Sequence, residues 1–465
     1  MDPQSRATQP TPALRSLKSA PAEPLLTRDF DARPAAVYER LRSKYGPVAP
    51  VDLLGVPVWL VLGYAEVLEV LRNDHGLWSK RLEDWRDHRE GRIPADWPLL
   101  PSYQGTYIAF QEGKAHTELR EMWSKALRPF QDRTQPQALR LEKDVRQYAD
   151  ELISLMAEGG TSGWADLSAQ YARPLMLMVC NRLIGFGTDE ALMDIWRVVD
   201  AGPDAPEATL RLMAALAEVV ALKRRRPGDD LPSHMLAARP DLTDEQLIGE
   251  IGLLLGLVGD IATSLICNTV VEVLTGDPGA RASLAAGLVR ETINRAAMIA
   301  PPSANLSFRF ATADTVLGGA HIAAGDPVMP SVAAAHADPR FAAALDPSSV
   351  HSSRAHLAWG AGPHRCLGDE LATTLVSIAV ERLFEQMAAL ELALPADQLP
   401  WRSSPTIRGL RALPVRFRLG QAAERAPAPA GAASEEPATS EESTEPTASR
   451  SALSRLVRAL LRQRS

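Results

Sequence analysis

The residue with the clearest chemical potential is Cys366, which lies in a glycine-rich loop directly before a predicted helix. The segment reads WGAGPHRCLGDEL, in which Gly360, Gly362 and Gly368 let the backbone approach another group closely. The apolar periodicity that begins at Gly368 predicts a helix whose N-terminus follows the cysteine. Unpaired N–H groups and the helix dipole at that point stabilise a thiolate, whereas a buried structural cysteine is the alternative interpretation.

A loop of this kind suits a haem iron, because a thiolate ligand donates the electron density that O–O cleavage needs and must approach a flat macrocycle. The ten residues WGAGPHRCLG resemble the haem-binding signature FxxGxxxCxG of the cytochromes P-450, with Trp359 in place of the usual Phe. The resemblance implies that Cys366 is the axial ligand of the iron of haem b. It also implies that Trp359 packs beneath the haem and that Gly368 belongs to the haem-binding loop.

The anionic propionates of a haem need cationic or hydrogen-bonding partners, and three segments resemble those that supply them in this superfamily. The run AHTELREMWSKALRPF places His116 and Arg120 four residues apart on one helix face. The strand-like SFRFATADTVLGG supplies Arg309, and His364 lies two residues before the cysteine. The resemblance therefore implies a propionate site formed by these residues, although each alone is typical of an ordinary surface position.

The central helix departs from the superfamily pattern of an acid followed by a threonine, which relay protons during oxygen activation. The matching segment is LLGLVGDIATSLICNTV, and alignment on Gly259 puts Ile261 and Ala262 at the two positions. Asp260 and Thr263 lie three residues apart on one side of the helix, so a displaced acid and alcohol pair is one alternative. The other is that Asp260 points away, because one position along a helix rotates a side chain by about 100°.

A second departure concerns the ExxR pair, a buried Glu and Arg that tie a helix to the loop before the cysteine in this superfamily. In RETINRAAMIAPPSAN, counting from Glu291 reaches Asn294, whereas alignment on the two prolines puts Arg295 and Met298 at these positions. Either register breaks the motif. Because loss of both partners of a buried ion pair can be nearly neutral, folding with haem remains the expectation.

The resemblance covers residues 25 to 420, roughly 85% of the chain, and predicts a mainly α cytochrome P-450 fold of the soluble actinobacterial type. The predicted function is a haem-thiolate monooxygenase that oxidises a small lipophilic molecule with electrons from a ferredoxin- or flavodoxin-type donor. Protons would come from water, from Thr263 or from a substrate hydroxyl, and hydrogen peroxide would bypass this step. The alternative functions are a haem-binding sensor or docking protein with little or no oxidase activity, and a haem-free scaffold.

Composition excludes several other classes of protein. The 50 basic and 57 acidic residues give a net charge of −7, which argues against nucleic acid as a partner. Cys180, Cys267 and Cys366 are odd in number and far apart, which favours a reducing compartment over a disulfide framework. The N-terminal segment has no continuous apolar stretch, so neither secretion nor a membrane anchor is predicted. We expect a cytoplasmic protein.

Periodicity outlines the elements that position these residues. Long helices are predicted over residues 137–158, 208–225 and 243–274. Residues 301–330 are typical of short strands with turns, and helical character returns at Gly368. The alternation of apolar and polar residues in ALPVRFRLG, residues 412–420, predicts a strand that closes the same small sheet.

The two ends of the chain differ from its body. Residues 1–24 are predicted to form a flexible arm, and residues 421–448 an acidic linker rich in Pro, Ala, Glu and Ser that cannot support a core. Residues 449–465 carry a leucine stripe with interspersed arginines, which predicts a short basic amphipathic helix. It would bind an anionic membrane surface on the inner face, recruit a partner protein, or remain a solvated tail.

Overall fold

Helices make up most of the fold. The computed structural model describes residues 15–17, 21–186, 189–200, 203–276, 278–344 and 356–420. The helices are α1 (Arg28–Ala32), α2 (Pro34–Tyr45), α3 (Tyr64–Arg72), α4 (Arg86–Arg89), α5 (Gly113–Gln131), α6 (Pro136–Met156), α7 (Arg173–Ile184), α8 (Asp189–Asp200), α9 (Ala205–Arg225), α10 (Leu231–Ala238), α11 (Asp244–Gly256), α12 (Thr263–Thr275), α13 (Pro278–Ala285), α14 (Val289–Ile299), α15 (Val332–His336), α16 (Pro339–Ala344) and α17 (Asp369–Gln386).

The strands form small sheets at the side of the helical body. They are β1 (Arg15–Ser16), β2 (Glu23–Pro24), β3 (Val48–Leu53), β4 (Val56–Val61), β5 (Trp78–Ser79), β6 (Ser162–Asp166), β7 (Arg309–Ala311), β8 (Thr315–Leu317), β9 (Ala320–Ile322), β10 (Pro327–Pro330), β11 (Met387–Leu392) and β12 (Pro414–Leu419). Within the described residues, their orders are β1-β9-β8, β2-β3-β4-β10-β7-β5 and β11-β12-β6.

The long helices predicted from periodicity are present. Helix α6 covers the first predicted segment and begins with Pro136, whose fixed φ suits the first helical turn. Helix α9 covers the second segment. The third is α11 followed by α12, with a π-helical turn at Leu257–Ala262 between them. This segment, which we call the central helix, begins at a capping box formed by Thr243 and Gln246.

The prediction that residues 412–420 close the sheet of residues 301–330 is wrong. Strand β12 pairs antiparallel with β11 and β6, in a three-stranded sheet of its own. Strands β7 to β10 instead join β1 to β5, through pairs such as β10 with β4. Alternation in a strand predicts which residues face a core, but it does not name the neighbouring strand.

The predicted boundary at residue 25 is also inexact. Arg15 and Ser16 pair in parallel with Ala320 and His321, and β2 pairs with β3, so ordered strands occur inside the predicted arm. Backbone pairing with a sheet edge holds such a terminal segment in place. The predicted linker and amphipathic helix of residues 421–465 lie outside the described residues.

The central helix runs through the largest hydrophobic core. It packs against α7, α14 and α17, and contributes buried residues such as Leu265, Ile266 and Val270. Asp244–Thr275 is long and apolar enough to cross a membrane by composition, but 67% of its most apolar window is buried inside the protein. A helix that is apolar on all sides and buried in this way is typical of the core of a large globular domain.

Candidate haem site

The cysteine loop, residues 356–368, lies close to the end of α3. Gly360 and Gly362 have φ values of 70° and 65°, a region in which other residues are strained. A Cβ at Gly362 would lie 2.3 Å from the Leu71 carbonyl oxygen. At Gly362 the close approach is to the backbone of α3, and the predicted approach of the loop to a macrocycle stays a prediction.

Helix α5 holds the loop on both sides of the cysteine. The Arg120 guanidinium donates to the Arg365 carbonyl oxygen at 2.9 Å, and the Gln131 amide donates to the Leu367 carbonyl oxygen at 2.7 Å. The Cys366 N–H donates to the Trp359 carbonyl oxygen at 2.9 Å, which closes the loop on itself. The backbone on either side of the sulfur is therefore held by partners distant in sequence, as a rigid ligand loop requires.

The helix N-terminus after Cys366 is expected to stabilise its thiolate form, but burial has the larger effect on the pKa of this thiol in the protein without a bound metal. Burial raises the pKa of the Cys366 thiol to about 11, while a hydrogen bond from the Gly368 backbone N–H opposes this rise. Helix α17 starts at Asp369, whose carboxylate raises the pKa further. A buried thiol in such surroundings ionises when a metal ion supplies the compensating charge, so the loop suits a metal-bound thiolate better than a free one.

Two of the predicted propionate ligands lie directly against each other. The rings of His116 and His364 have centroids 4.1 Å apart, and the Nε2 atom of each is buried without a hydrogen-bond partner in the described part of the chain. Burial lowers the pKa of both rings, and the positive charges of Lys80 and Arg309 lower that of His364 further. The neutral form of both rings is therefore favoured, and each has a buried Nε2 atom that can donate a hydrogen bond to an anionic group.

Arg309 and Lys80 complete a buried cationic cluster with the two histidines. Arg309 lies on β7 and is 4% exposed, and burial lowers the pKa of its guanidinium to about 10. Burial also lowers the pKa of Lys80 well below its ordinary value, as does the charge of Arg309. One carboxylate, Glu112, lies among them. Its carboxylate oxygen Oε1 accepts a hydrogen bond from the Lys80 backbone N–H at 2.9 Å and lies 3.4 Å from Nε2 of His364.

Lys80 is a site residue that sequence reasoning missed. It is 7% exposed, although lysine is rarely buried without a partner. In the sequence it is one of several charged residues after β5, and no spacing distinguishes it. Its burial follows from the pairing of β5 with β7, which sets Ser79 against Phe310, next to Arg309. The cluster it joins has two basic side chains, Lys80 and Arg309, beside one carboxylate, Glu112, so a further anion such as a propionate would favour the charged form of Lys80.

The central helix has an open stretch at the start of its π-helical turn. A Cβ added at Gly256 would meet no atom within 4 Å, and the neighbouring Leu257 is 41% exposed although most of this apolar helix is buried. An apolar side chain exposed on an otherwise buried helix suits contact with an apolar ligand. The cysteine loop and the cationic cluster, in turn, fit a cofactor with an anionic edge.

The π-helical turn of the central helix decides where the alternative acid and alcohol point. Asp260 accepts a hydrogen bond from the guanidinium of Arg402, and both side chains are mostly buried. The Thr263 hydroxyl donates to the Gly259 carbonyl oxygen at 2.7 Å, and Ala262 is 5% exposed. The structure therefore does not bring Asp260 and Thr263 together as a hydrogen-bonded pair.

Arg295, the arginine of the broken ExxR segment, forms an ion pair with another helix. Arg295, on α14, lies 2.6 Å from Glu272 on the central helix, and both side chains are mostly buried. The helix that normally carries the motif is thus fixed to the central helix by a charge-assisted hydrogen bond. The sequence contained both residues, but nothing in their spacing indicated that they pair.

Among the residues that the structure describes, no group of three or more His, Cys, Asp or Glu side chains could hold a metal ion. In a haem, most ligands of the iron come from the cofactor, and a protein side chain such as a thiolate adds an axial one.

Comparison with known proteins supports the same interpretation. The family model described as Cytochrome P450 matches residues 298–391. The chain is 31% identical to the cytochrome P450 monooxygenase PikC of Streptomyces venezuelae over 416 residues, 86% of this chain and 95% of that protein. It is 30% identical to the 2-hydroxy-5-methyl-1-naphthoate 7-hydroxylase of Streptomyces carzinostaticus over 402 residues, 83% of this chain and 95% of that protein.

Solved structures share the fold. CYP154C4 from Streptomyces sp. W2061 superposes with a TM-score of 0.75 at 28% identity, over 85% of this chain and 98% of that one. The cysteine loop held by α5 and the buried cationic cluster fit a haem-thiolate protein. The chain belongs to the cytochrome P450 family, and its cofactor is haem b. It is a P450-type monooxygenase, and the predictions of family, fold class and cofactor are confirmed.

Proposed function

We propose that this protein hydroxylates a small lipophilic organic molecule with electrons from a ferredoxin- or flavodoxin-type donor. The observation that carries the proposal is the attachment of both sides of Cys366 to α5, through Arg365 and Leu367. Bound haem supplies the oxidation chemistry, and the thiolate donates electron density to its iron. The protein's part is to hold the ligand, orient the substrate and deliver protons.

His116, Arg120, Arg309 and His364 are proposed to hold the haem propionates, with Lys80 as a further cation. Two buried Nε2 atoms without a hydrogen bond in the described part of the chain, and two buried basic side chains next to them, support this assignment. Trp359 and Gly368 are proposed to form the rest of the loop at the haem. Trp359 is half-buried, and a Cβ at Gly368 would lie 3.9 Å from the Cys366 sulfur, so the loop is narrow at this point.

The substrate is proposed to lie beside the open stretch of the central helix. Gly256 and Leu257 present apolar surface there, which suits a lipophilic molecule. One relative acts on a hydroxylated naphthoate, as its name says. A fused aromatic ring system of similar size is therefore a reasonable first probe class.

We propose that Thr263 delivers protons and that Asp260 has a structural role. The Thr263 hydroxyl is buried and is bonded to Gly259 across a π-helical turn, a feature that is frequent at functional sites. Because that hydroxyl can rotate, it can give its proton to another acceptor and take one from water. Asp260 is held by Arg402, and Ala262 has no proton to give.

The electron donor is proposed to dock on the exposed face of α5 beside the cysteine loop. Lys125 and Arg128 are exposed there, between Arg120 and Gln131, which hold the loop. Two positive charges suit an acidic electron carrier, and a docking site so close to the iron ligand shortens the path for electrons. We infer a cytoplasmic location, where such carriers and a reduced Cys366 coexist.

The experiment that tests the proposal is reconstituted turnover. The haem-loaded protein is mixed with ferredoxin, its reductase, NADPH and a set of hydroxylated naphthoates, and products are analysed by mass spectrometry. We expect a product that has gained one oxygen atom, with loss of this product in Cys366→Ser. Haem binding with no substrate-dependent product from any electron donor or from peroxide would favour the sensor function instead.

Thr263→Ala tests the proton pathway in the same assay. We expect product per NADPH consumed to fall roughly tenfold, in line with loss of one proton-transfer group, and peroxide release to rise. Asp260→Asn keeps the hydrogen bond to Arg402 and is expected to change this ratio little. A larger effect of Asp260→Asn than of Thr263→Ala would reverse the two roles.

A further inference from the structure

His336 connects the end of α14 to the beginning of the cysteine loop. Its Nδ1 atom lies 3.1 Å from the Met298 carbonyl oxygen, in the last turn of α14. The Leu357 backbone N–H donates to its Nε2 atom at 2.8 Å. Each ring nitrogen therefore makes one hydrogen bond, Nδ1 to α14 and Nε2 to the cysteine loop, and these two segments are far apart in sequence.

These contacts determine the tautomer of the ring. Nε2 accepts a hydrogen bond from the Leu357 N–H, so it must carry a lone pair. Nδ1 faces a carbonyl oxygen, so it must carry the hydrogen. The neutral Nδ1–H form of His336 satisfies both partners, whereas the imidazolium would set two N–H groups against each other at Leu357.

The path from Leu357 to the sulfur is short. The Gly360 N–H donates to the Leu357 carbonyl oxygen at 2.8 Å, and the Cys366 N–H donates to the Trp359 carbonyl oxygen at 2.9 Å. The loop therefore has backbone hydrogen bonds from its first turn to its ligand. A displacement of Leu357 would be passed to Cys366 through these bonds.

The surroundings hold the ring in one orientation. Phe341 stacks on His336 with ring centroids 6.1 Å apart, and Tyr64 stacks on Phe341 at 4.1 Å. His356 lies edge-on to His336 with centroids 6.3 Å apart. Asp338, on the same segment, is paired with Arg340. Burial lowers the pKa of His336 to about 4, which keeps the ring neutral.

We propose that His336 is a positioning residue for the axial cysteine, and that its bridge from Met298 to Leu357 ties α14 to the cysteine loop in place of the missing ExxR pair. This inference rests on the proposed haem-thiolate function. The Arg295–Glu272 pair fixes the same helix to the central helix. His336 in turn joins that helix to the first residues of the cysteine loop.

Two variants distinguish a hydrogen-bonding role of His336 from a role of its side-chain shape alone. His336→Leu fills the site without a polar atom. His336→Gln keeps one N–H donor and one carbonyl acceptor on a side chain of similar reach. His321→Leu, a half-exposed histidine on β9, is the control. Each purified haem-loaded protein is assayed for haem transfer to excess apomyoglobin and for the thiolate-type band of its ferrous carbon monoxide complex.

We expect His336→Leu to lose haem on the order of tenfold faster, since two buried hydrogen bonds disappear, and to convert much of its band to the form without thiolate. His336→Gln should recover most of both losses, and the control should match the unchanged protein. Haem loss and band in His336→Leu equal to those of the unchanged protein would overturn the proposal. Equal losses in the Leu and Gln variants would also overturn it, because shape would then be the cause.

A measurement on the unchanged protein covers the case in which His336→Leu does not fold. In the diamagnetic ferrous carbon monoxide complex, ¹⁵N NMR of histidine-labelled protein reports the tautomer of His336, assigned by its absence in His336→Gln. The Nδ1–H form is expected, and the Nε2–H form contradicts the bridge. Absence of the thiolate band in the unchanged protein itself would instead count against the proposed function.

Discussion

The cysteine loop and the central helix have kept the family's features to different degrees. The loop keeps its glycines, its cysteine and His364, and α5 holds it at Arg365 and Leu367. The central helix has Ile261 and Ala262 where the acid and threonine are expected, and α14 lacks the ExxR pair. The sequence motif for iron ligation is therefore retained, whereas the motifs for proton delivery and for the anchoring of α14 are not.

This difference teaches that the two tasks place unlike demands on a sequence. An iron ligand must approach a rigid macrocycle at one distance, so few residues and few backbone conformations serve. A proton can arrive through a hydroxyl, a water molecule or the substrate, so several arrangements serve. An anchoring contact is equally replaceable, as the bridge through His336 and the Arg295–Glu272 pair indicate. The predictions below test this contrast.

The largest effect is expected at the ligand itself. Cys366→Ala should abolish the red-shifted band of the ferrous carbon monoxide complex, because no thiolate remains opposite the carbon monoxide. The measurement is the difference spectrum of the reduced protein. Cys180→Ala, which alters a buried cysteine of the helical core, should keep the band. An unchanged band in Cys366→Ala would remove the thiolate assignment.

The second-largest effect is expected from substitutions in the cationic cluster. Arg309→Leu and Lys80→Met each remove a buried charge that we assign to the propionates, and each should speed haem transfer to apomyoglobin roughly 10- to 100-fold. Arg418→Leu, at an exposed position of β12, is the matched control and should have no effect. If Lys80→Met behaves like this control, Lys80 does not contact the cofactor.

A buried acid on the central helix predicts a pH dependence of stability. Glu250 accepts hydrogen bonds from the Trp123 indole N–H at 2.7 Å and the Ile108 backbone N–H at 2.9 Å, and burial raises its pKa to about 7. A raised carboxyl pKa means that protonated Glu250 favours folding below its unfolded pKa. This contribution is lost as pH rises through about 7.

Urea unfolding of the protein and of Glu250→Gln measures this contribution. Between about pH 4.5 and pH 8 the free energy of unfolding of the protein should fall by about 2–3 kcal/mol relative to the variant. Titrations of other groups cancel in this difference. Glu245→Gln, exposed on the same helix, should run parallel to the unchanged protein. If the free energies of unfolding of the protein and of Glu250→Gln change in parallel with pH, burial does not raise the pKa of Glu250.

The smallest effect is expected at the proposed docking face. Charge reversal of Lys125 and Arg128 to Glu should slow ferredoxin-driven reduction several-fold at low salt, and less at high salt, because exposed charges act mainly on association. Reduction by dithionite should not change. Lys143→Glu, exposed on α6, is the control. If Lys143→Glu slows ferredoxin-driven reduction equally, the electron donor does not dock specifically on the exposed face of α5.

Much of the fold and part of the site could be predicted from the sequence. The long helices follow from local periodicity, and the ligand loop from a contiguous motif around Cys366. His116, Arg309 and His364 could be named because each sits in a recognisable segment. The structure then brings these three into one cluster.

Only the tertiary structure decided the contacts between segments that carry no motif. The pairing of β12 with β6, the burial of Lys80, and the pairing of Arg402 with Asp260 each join residues far apart in the chain. Periodicity reports which face of an element is apolar, but the neighbour is chosen by packing of the whole chain. The sequence by itself therefore predicted the ligand, while the tertiary structure decided what holds its loop in place.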